Sequence, residues 1–160
     1  MTNLNLIGVI GSGQCDESVS QLAYEVGQEI AAAGYGLICG GLGGVMTGAC
    51  RGAAEAGGLT IGILPGDSPG SANPYVRIPI ATGLGIARNI IIVRSSRVAI
   101  AIHGGPGTLS EIAFCLQLGV PVISLNSFTV SPNIVPATTA REAVEKAVRK
   151  ITGNGDGEPA

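Results

Sequence analysis

The chain alternates between short, continuously apolar runs and longer segments in which apolar residues recur every three or four positions. The continuous runs are rich in β-branched residues, which is typical of strands that are buried on both faces. Such runs predict six strands, of which the fourth is only a short extended piece. They are Leu4–Ile10, Tyr35–Cys39, Leu59–Leu64, Tyr75–Ile80, Arg97–Ile102 and Val120–Leu125.

The remaining apolar positions follow the period of an amphipathic helix. In the first such segment Leu22, Val26 and Ile30 share one face, Asp16 or Ser18 can cap its start, and a glycine follows its end. Near the end of the chain, Thr139 and Glu142 form a capping box. The spacing predicts helices over Asp16–Ala33, Val45–Ala56, Leu84–Ser95, Leu109–Leu118 and Ala140–Ile151.

Strands that alternate with helices indicate a parallel sheet with helices packed on both faces. We therefore predict an α/β fold, a Rossmann-like three-layer α/β/α arrangement with a mostly parallel sheet. A single domain is expected over residues 1–151, since this length can bury a core of its own. The glycine-rich, charged segment over residues 152–160 is expected to be a disordered tail.

Glycine-rich loops follow the first, second and fifth of these strands, and in a parallel sheet all three lie at the carboxyl edge, where ligands bind. A helix that begins directly after a strand presents free N–H groups and a partial positive charge. Glycines also serve tight turns that bind nothing, but their recurrence in equivalent loops favours a phosphate site. The residues predicted to line it are Gly11, Ser12, Gly40, Gly41, Gly44, Gly104, Gly105, Gly107 and Thr108.

Two standard nucleotide motifs are excluded. The first loop is not a dinucleotide fingerprint, because Asp16 stands where that motif requires a glycine. The second strand ends at Cys39 without the carboxylate that binds a ribose of NAD. No Gly-Lys-Ser or Gly-Lys-Thr sequence occurs, which excludes a P-loop.

Three side chains near this edge are candidates for chemistry. Arg88 lies early in the third helix and can clamp a phosphate, although a solvated surface role is the alternative. Glu111 follows Thr108, which is expected to begin the next helix and to donate its hydroxyl to a phosphate oxygen. Glu111 either forms a capping box with Thr108 or faces a sugar or leaving group as a general acid, base or cation stabiliser. His103 either binds the ligand or is structural.

The amino-acid composition limits which partners the chain is expected to bind. Charged residues make up only 12% of the chain, against about 25% in ordinary globular chains. A surface with so little charge is expected to be covered partly by homo-oligomerisation, as a dimer or tetramer. A net charge of −2 and 3% aromatic residues disfavour nucleic acid and anionic membranes as partners. With no basic leader and no apolar run of about 18 residues, a cytoplasmic protein is expected.

The cysteine, histidine and lysine residues limit which other chemistry the chain is expected to perform. Cys15, Cys39, Cys50 and Cys115 are widely spaced, so we expect reduced, mostly buried thiols. With His103 as the single histidine, no metal site is expected. Both lysines lie in the last predicted helix, which disfavours Schiff-base chemistry.

Three motifs lie in the glycine-rich part of the chain: Gly40–Met46, Thr82–Asn89 and Gly104–Glu111. In their order and spacing, these motifs resemble the LONELY GUY superfamily, some of whose members are labelled possible lysine decarboxylases. The GGxGTxxE motif is fairly specific, and the resemblance covers about Leu6–Leu125. The motifs also place Met46, Thr82 and Gly83 among the expected binding residues.

The resemblance implies two alternative functions. The short form of the chain is most similar to molybdenum cofactor carrier proteins, which bind a phosphorylated pterin, protect it and hand it on. The phosphoribohydrolases of the superfamily cleave the N-glycosidic bond of nucleoside 5′-monophosphates, and their catalytic arginine and glutamate match Arg88 and Glu111. Their motif usually begins with proline, where this chain has His103. A ligand-sensing regulatory subunit is a weaker third alternative.

Overall fold

The computed structural model describes residues 4–153. Within them, seven strands form one sheet in the order β4-β3-β2-β1-β5-β6-β7, and every neighbouring pair is parallel. The predicted Rossmann-like α/β fold is confirmed, and the sheet is parallel throughout. The strands are β1 (Leu6–Gly11), β2 (Gly36–Cys39), β3 (Thr60–Leu64), β4 (Ile78–Ala81), β5 (Val98–Ile102), β6 (Val122–Leu125) and β7 (Val135–Ala137).

The helices cover both faces of this sheet and complete the three layers. The first, second and fifth helices pack on one face of the sheet, and the third and fourth pack on the other. Two short 3₁₀ turns, Pro69–Ser71 and Gly85–Arg88, lie in the connections. The α-helices are α1 (Glu17–Ala32), α2 (Val45–Glu55), α3 (Asn89–Ser95), α4 (Pro106–Leu118) and α5 (Ala140–Thr152).

Strand β5, which lies next to the central strand β1, shows why the strands coincide with continuously apolar runs. Ala99 and Ala101 pack with α3 and α4, whereas Val98, Ile100 and Ile102 pack with α1, α2 and α5. Successive side chains point to opposite faces of a strand. Because both faces are covered by helices, every position of β5 is buried.

Helices α1 and α2 pack backbone against backbone. A Cβ on Gly27 would lie 2.0 Å from the carbonyl oxygen of Ala49, and one on Gly52 would lie 1.9 Å from that of Tyr24. Neither position leaves room for a methyl group. The two helices, and the loops that lead into them from β1 and β2, are therefore held at a fixed spacing.

Several predicted boundaries differ from the structure. The segment Leu84–Ser95 divides into the 3₁₀ turn and the shorter α3. Helix α4 begins at Pro106 rather than Leu109, so Thr108 is its third residue and does not start it. The predicted capping box between Thr108 and Glu111 is wrong for the same reason, because Glu111 lies beyond the first turn. Strand β7 is an additional strand that the apolar pattern does not predict.

The helix caps follow the expected chemistry. Asp16 caps α1 by accepting a 2.9 Å hydrogen bond from Val19 N, and Gly34 follows that helix with a φ of +83°. Thr139 accepts from Glu142 N at 3.1 Å, but the Glu142 carboxylate accepts from Thr138 rather than completing a capping box. The final helix ends at Thr152, one residue later than predicted, and the rest of the expected tail from residue 154 lies outside the described residues.

Candidate functional site

The three glycine-rich loops meet at the carboxyl edge of the sheet. Gly11 pairs with Ile102 in the parallel register, so the loops after β1 and β5 leave the sheet side by side. The carbonyl oxygen of Ser12 accepts a 3.0 Å hydrogen bond from Val45 N at the start of α2. The hydroxyl oxygen of Ser12 lies 3.6 Å from the position that a Cβ on Gly105 would take. The loop after β1 therefore lies between the other two, and together they form one crevice.

Most glycines of the crevice are required by the fold itself. A Cβ on Gly11 would lie 2.6 Å from Val45 Cγ1, and one on Gly40 would lie 2.6 Å from an Arg88 nitrogen. Gly44 has a φ of +60° and faces the Ser12 carbonyl. These glycines, with Gly41 at a φ of +75°, shape the crevice by close packing and tight turns rather than by leaving space for a ligand.

Gly104 belongs to the same class, but the next two glycines do not. Gly104 has a φ of +128°, and a Cβ there would lie 2.6 Å from the Thr108 side chain. Gly105 has a φ of −134°, which any residue adopts, and its nearest neighbour for a Cβ is at an ordinary 3.6 Å. Around Gly107 no heavy atom lies within 4 Å of a Cβ. Close packing in the protein interior therefore does not account for these two glycines, which leave the start of α4 open.

Thr108 fixes the shape of this first turn. Its side chain is 2% exposed, and its hydroxyl oxygen accepts a hydrogen bond from Gly105 N at 3.3 Å. The hydroxyl keeps its own proton, which remains a donor. The Ser110 hydroxyl donates to Gly107 O at 2.6 Å, so both polar side chains of the turn stabilise the glycine backbone.

Arg88 is buried and bonded to backbone and side-chain oxygens around it. Its Nε donates to Ile63 O at 2.8 Å and one terminal nitrogen donates to Gly40 O at 3.4 Å, while the other donates to the Asn89 amide oxygen. The side chain thereby joins the carboxyl ends of β3 and β2. The alternative of a solvated surface arginine is wrong, and the described contacts are those of a residue that positions the loops.

Glu111 shares this buried region. Its side chain is 7% exposed, and burial raises the pKa of its carboxyl to about 8, while the positive charge of Arg88 acts in the opposite direction. Burial raises the pKa of the nearby Cys115 thiol, and the charge of Glu111 raises it further. Burial within reach of the Arg88 charge, rather than a helix cap, therefore describes the site of Glu111.

Three other expected residues lie elsewhere or serve packing. The Thr82 hydroxyl donates to Leu64 O at 2.7 Å and accepts from Leu84 N. Thr82 and Gly83 follow the edge strand β4, three strands or about 14 Å from β1. The structure therefore does not bring them to the α4 N-terminus. Met46 is buried, with its sulfur against Gly40.

His103 lies at the rim of a neighbouring cavity that the sequence does not reveal. The cavity has a volume of about 270 Å³ and lies between the carboxyl ends of β5 and β6. His103 and Asn126, which follow these strands, are the positive-φ residues other than glycine among residues 4–153. An asparagine after an apolar strand tolerates that conformation and is the one signal in the sequence. The cavity is lined by His103, Gly104, Asn126, Ser127 and Phe128.

Other sites of chemistry are sparse in the part of the chain that the structure describes. No group of three or more histidine, cysteine, aspartate or glutamate side chains is placed to hold a metal ion there. All four cysteines are free thiols, and three of them are buried, as predicted. No helix among residues 4–153 has the length and apolar character needed to cross a membrane.

The chain is similar to proteins of known fold over most of its length. It is 46% identical over 142 residues, 89% of this chain and 93% of the relative, to an uncharacterized protein of Archaeoglobus fulgidus. The structure of the molybdenum cofactor binding protein from the phototrophic bacterium Rippkaea orientalis matches with a TM-score of 0.88 at 38% identity, covering 95% of this chain and 99% of that chain.

The molybdenum cofactor carrier protein of Chlamydomonas reinhardtii matches with a TM-score of 0.85 at 36% identity, covering 92% of this chain and 99% of that chain. These likenesses confirm the resemblance that the glycine motifs indicate. The family model that matches residues 4–152 is described as the SLOG cluster4 family. Because that match spans nearly the whole chain, the protein belongs to the SLOG cluster4 family.

Proposed function

We propose that the protein binds and carries a phosphorylated, nucleotide-like small molecule, with molybdenum cofactor as its ligand. The observation that carries the proposal is the first turn of α4, where Gly105 and Gly107 leave open the space that a side chain would fill. The names of two similar structures, a molybdenum cofactor binding protein and a molybdenum cofactor carrier protein, support the identity of the ligand.

The α4 N-terminus is the proposed position of the phosphate. Free N–H groups at the start of a helix and its dipole favour an anion. The turn carries no acidic residue that would repel a phosphate. Ser12 faces Gly105 across the crevice and offers a hydroxyl from the opposite wall. Thr108 is buried and stabilises the turn through Gly105 N, so Ser12 and the N–H groups of the turn are the neutral donors proposed to bind the phosphate.

We propose further that the protein acts in the cytoplasm as a homo-oligomer. The edge strand β4 and the turn after it expose a row of apolar side chains that a second copy would cover. Their exposed fractions are 42% for Ile78, 44% for Ile80, 54% for Leu84 and 86% for Ile86.

The substitution Gly105→Val tests the phosphate site. Its backbone already suits valine, so the variant is expected to fold and to fill the crevice beside Ser12. Gly66→Val is the matched control, because a Cβ on Gly66 would also meet no close contact, and Gly66 follows β3, two strands from β1. Each variant is incubated with molybdopterin released from a molybdoenzyme, and retained pterin is measured. The proposal requires stoichiometric retention by wild type and control, and loss in Gly105→Val; equal retention by all three would overturn it.

A second function rests on the neighbouring pair of Arg88 and Glu111. A glutamic acid whose pKa is raised to about 8 is protonated at neutral pH and suits a general acid. This observation favours the phosphoribohydrolase alternative, in which Glu111 acts on the N-glycosidic bond of a nucleoside 5′-monophosphate. A panel of such nucleotides is assayed for free base with wild type and Glu111→Gln. Release that depends on Glu111 would overturn a pure carrier function, and no release from any nucleotide would exclude the hydrolase.

A further inference from the structure

The cavity between the ends of β5 and β6 has the size of a subsite. Its volume of about 270 Å³ lies just below the range of about 300–1,000 Å³ that is typical of pockets for whole ligands. Gly104 lines this cavity and also begins the loop that leads to the α4 N-terminus. A group in the cavity and a phosphate at the helix therefore lie on two sides of one glycine, within reach of a single ligand.

The backbone on either side of the cavity is held in an unfavourable conformation. His103 has a φ of +46° and Asn126 a φ of +55°, and glycine at either position would avoid the cost. Local hydrogen bonds hold the arrangement, since the Ser127 hydroxyl donates to His103 O and His103 N donates to Leu125 O at 3.2 Å. His103 and Asn126 both line the cavity. A glycine at either position would contribute no polar side chain.

The lining chemistry fits a flat heterocycle. The amide of Asn126 offers both a donor and an acceptor, which complement the amide edge of a pterin or purine ring. Phe128 is half-buried and packs against the core cluster of α3 and α4, so its ring is fixed in position as one wall of the cavity. Aromatic faces of this kind stack with heterocyclic rings. His103 adds a further polar group to the lining.

We propose that this cavity binds the fused, planar heterocycle of the ligand whose phosphate occupies the α4 N-terminus. The inference rests on the proposed function and adds to it the residues that recognise the ring. Asn126 pairs with the amide edge of the ring, Phe128 stacks on its face, and Gly104 separates the ring from the phosphate.

The test compares ligands with and without the ring. The probes are 6-hydroxymethylpterin monophosphate, guanosine 5′-monophosphate and glycerol 3-phosphate, which carries a phosphate but no ring. Binding is measured by calorimetry, and also by pterin fluorescence, since the chain has no tryptophan. Phe128→Leu keeps apolar volume in the core but removes the aromatic face. The control is Phe114→Leu, at a residue of α4 that is 36% exposed and does not line the cavity.

We expect Phe128→Leu to weaken binding of the pterin phosphate about tenfold and to leave the affinity for glycerol 3-phosphate unchanged. Phe114→Leu is expected to change neither affinity. Asn126→Gly removes the amide together with the backbone cost, so it is expected to raise the melting temperature and still weaken ring binding. A purely structural role for Asn126 would give higher stability with unchanged affinity. The ratio between the two ring-bearing probes in wild type shows whether the cavity prefers a pterin or a purine.

The outcomes separate this inference from the proposed function. If Gly105→Val loses the pterin phosphate but Phe128→Leu and Asn126→Gly bind it as wild type does, the ring lies elsewhere and the inference is overturned. If wild-type protein binds neither ring-bearing phosphate nor glycerol 3-phosphate, the phosphate site itself is overturned, and the inference fails with it.

Discussion

The Nε of Arg88 donates a 2.8 Å hydrogen bond to the carbonyl oxygen of Ile63, although the two residues are 25 positions apart in the chain. This contact joins the 3₁₀ turn before α3 to the end of β3. A further bond to Gly40 O extends the link to β2. Arg88 is therefore a positioning residue for the loops of the crevice, whatever further contact it makes with a ligand.

Removal of this guanidinium is expected to destabilise the protein. Arg88→Met keeps the aliphatic stem but leaves the Ile63 and Gly40 carbonyls without their partner, which costs about 2–4 kcal/mol in the free energy of unfolding. Arg94→Met, at an exposed arginine of α3, is the control and is expected to change stability by no more than about 0.5 kcal/mol. Urea denaturation measures both, and equal stability of the two variants would contradict the structural role.

The buried carboxyl of Glu111 predicts a pH dependence of stability. Its pKa is raised in the folded protein from 4.5 to about 8 by burial, so the folded state holds this proton more tightly than the unfolded state does. The resulting stabilisation is full below about pH 4.5 and is lost as the pH rises towards 8, by at most about 1.4 kcal/mol per pH unit.

In Glu111→Gln that loss is absent, because the amide does not titrate. The free energy of unfolding of wild type relative to the variant is therefore expected to fall steadily between pH 5 and pH 8. Denaturant titrations of both proteins at four pH values across this window measure the difference. Two parallel stability profiles would show that Glu111 is ionised in the folded protein.

The four thiols are expected to differ sharply in reactivity. Cys15 is half-buried, whereas Cys39, Cys50 and Cys115 are buried, and burial raises the pKa of Cys115 to about 12. Burial and the charge of Asp16 raise the pKa of Cys15 as well, so access of the reagent to the sulfur decides which thiol reacts first. Titration of the folded protein with Ellman's reagent is expected to modify Cys15 rapidly and the other three only in denaturant. Cys15→Ser removes the rapid phase; its persistence in that variant would contradict the assignment.

The apolar edge at β4 gives a test of self-association. Ile86 is 86% exposed, and Ile86→Asp places a charge in the surface that a second copy is proposed to cover. We expect the variant to lose mass in light scattering by dissociating the assembly. Val130→Asp, at another exposed apolar side chain that is 57% exposed, is expected to leave the mass unchanged. A wild-type monomer, or an unaltered assembly in Ile86→Asp, would rule out this interface.

The sequence predicts most of the fold because strands that are buried on both faces of the sheet appear as continuously apolar runs. The strands of the sheet centre are apolar at every position, and their ends coincide with glycines that the loops require. Strand β7 was missed because it has only three residues and contains Pro136, which interrupts an apolar run. The start of α4 was placed too late because Pro106 and Gly107 were interpreted as loop, whereas proline suits the first position of a helix.

Only those parts of the candidate site that are formed by residues close together in the sequence can be predicted from it. The α4 N-terminus and its glycines follow from local sequence. The contacts of Arg88 do not, because Ile63 and Gly40 are brought to it by the sheet order. The cavity at Asn126 and Phe128 depends likewise on the pairing of β5 with β6, and its one local signal is the asparagine that directly follows an apolar strand.

The backbone packing of α1 against α2 at Gly27 and Gly52 has a consequence for the kinetics of recognition. The loops that lead into these helices form one wall of the crevice, and the wall is assembled when the chain folds, before any ligand arrives. The first turn of α4 stands on the opposite face of the sheet and is not part of that block. A ligand that binds as proposed would therefore meet a surface on the α1 and α2 side that is already formed.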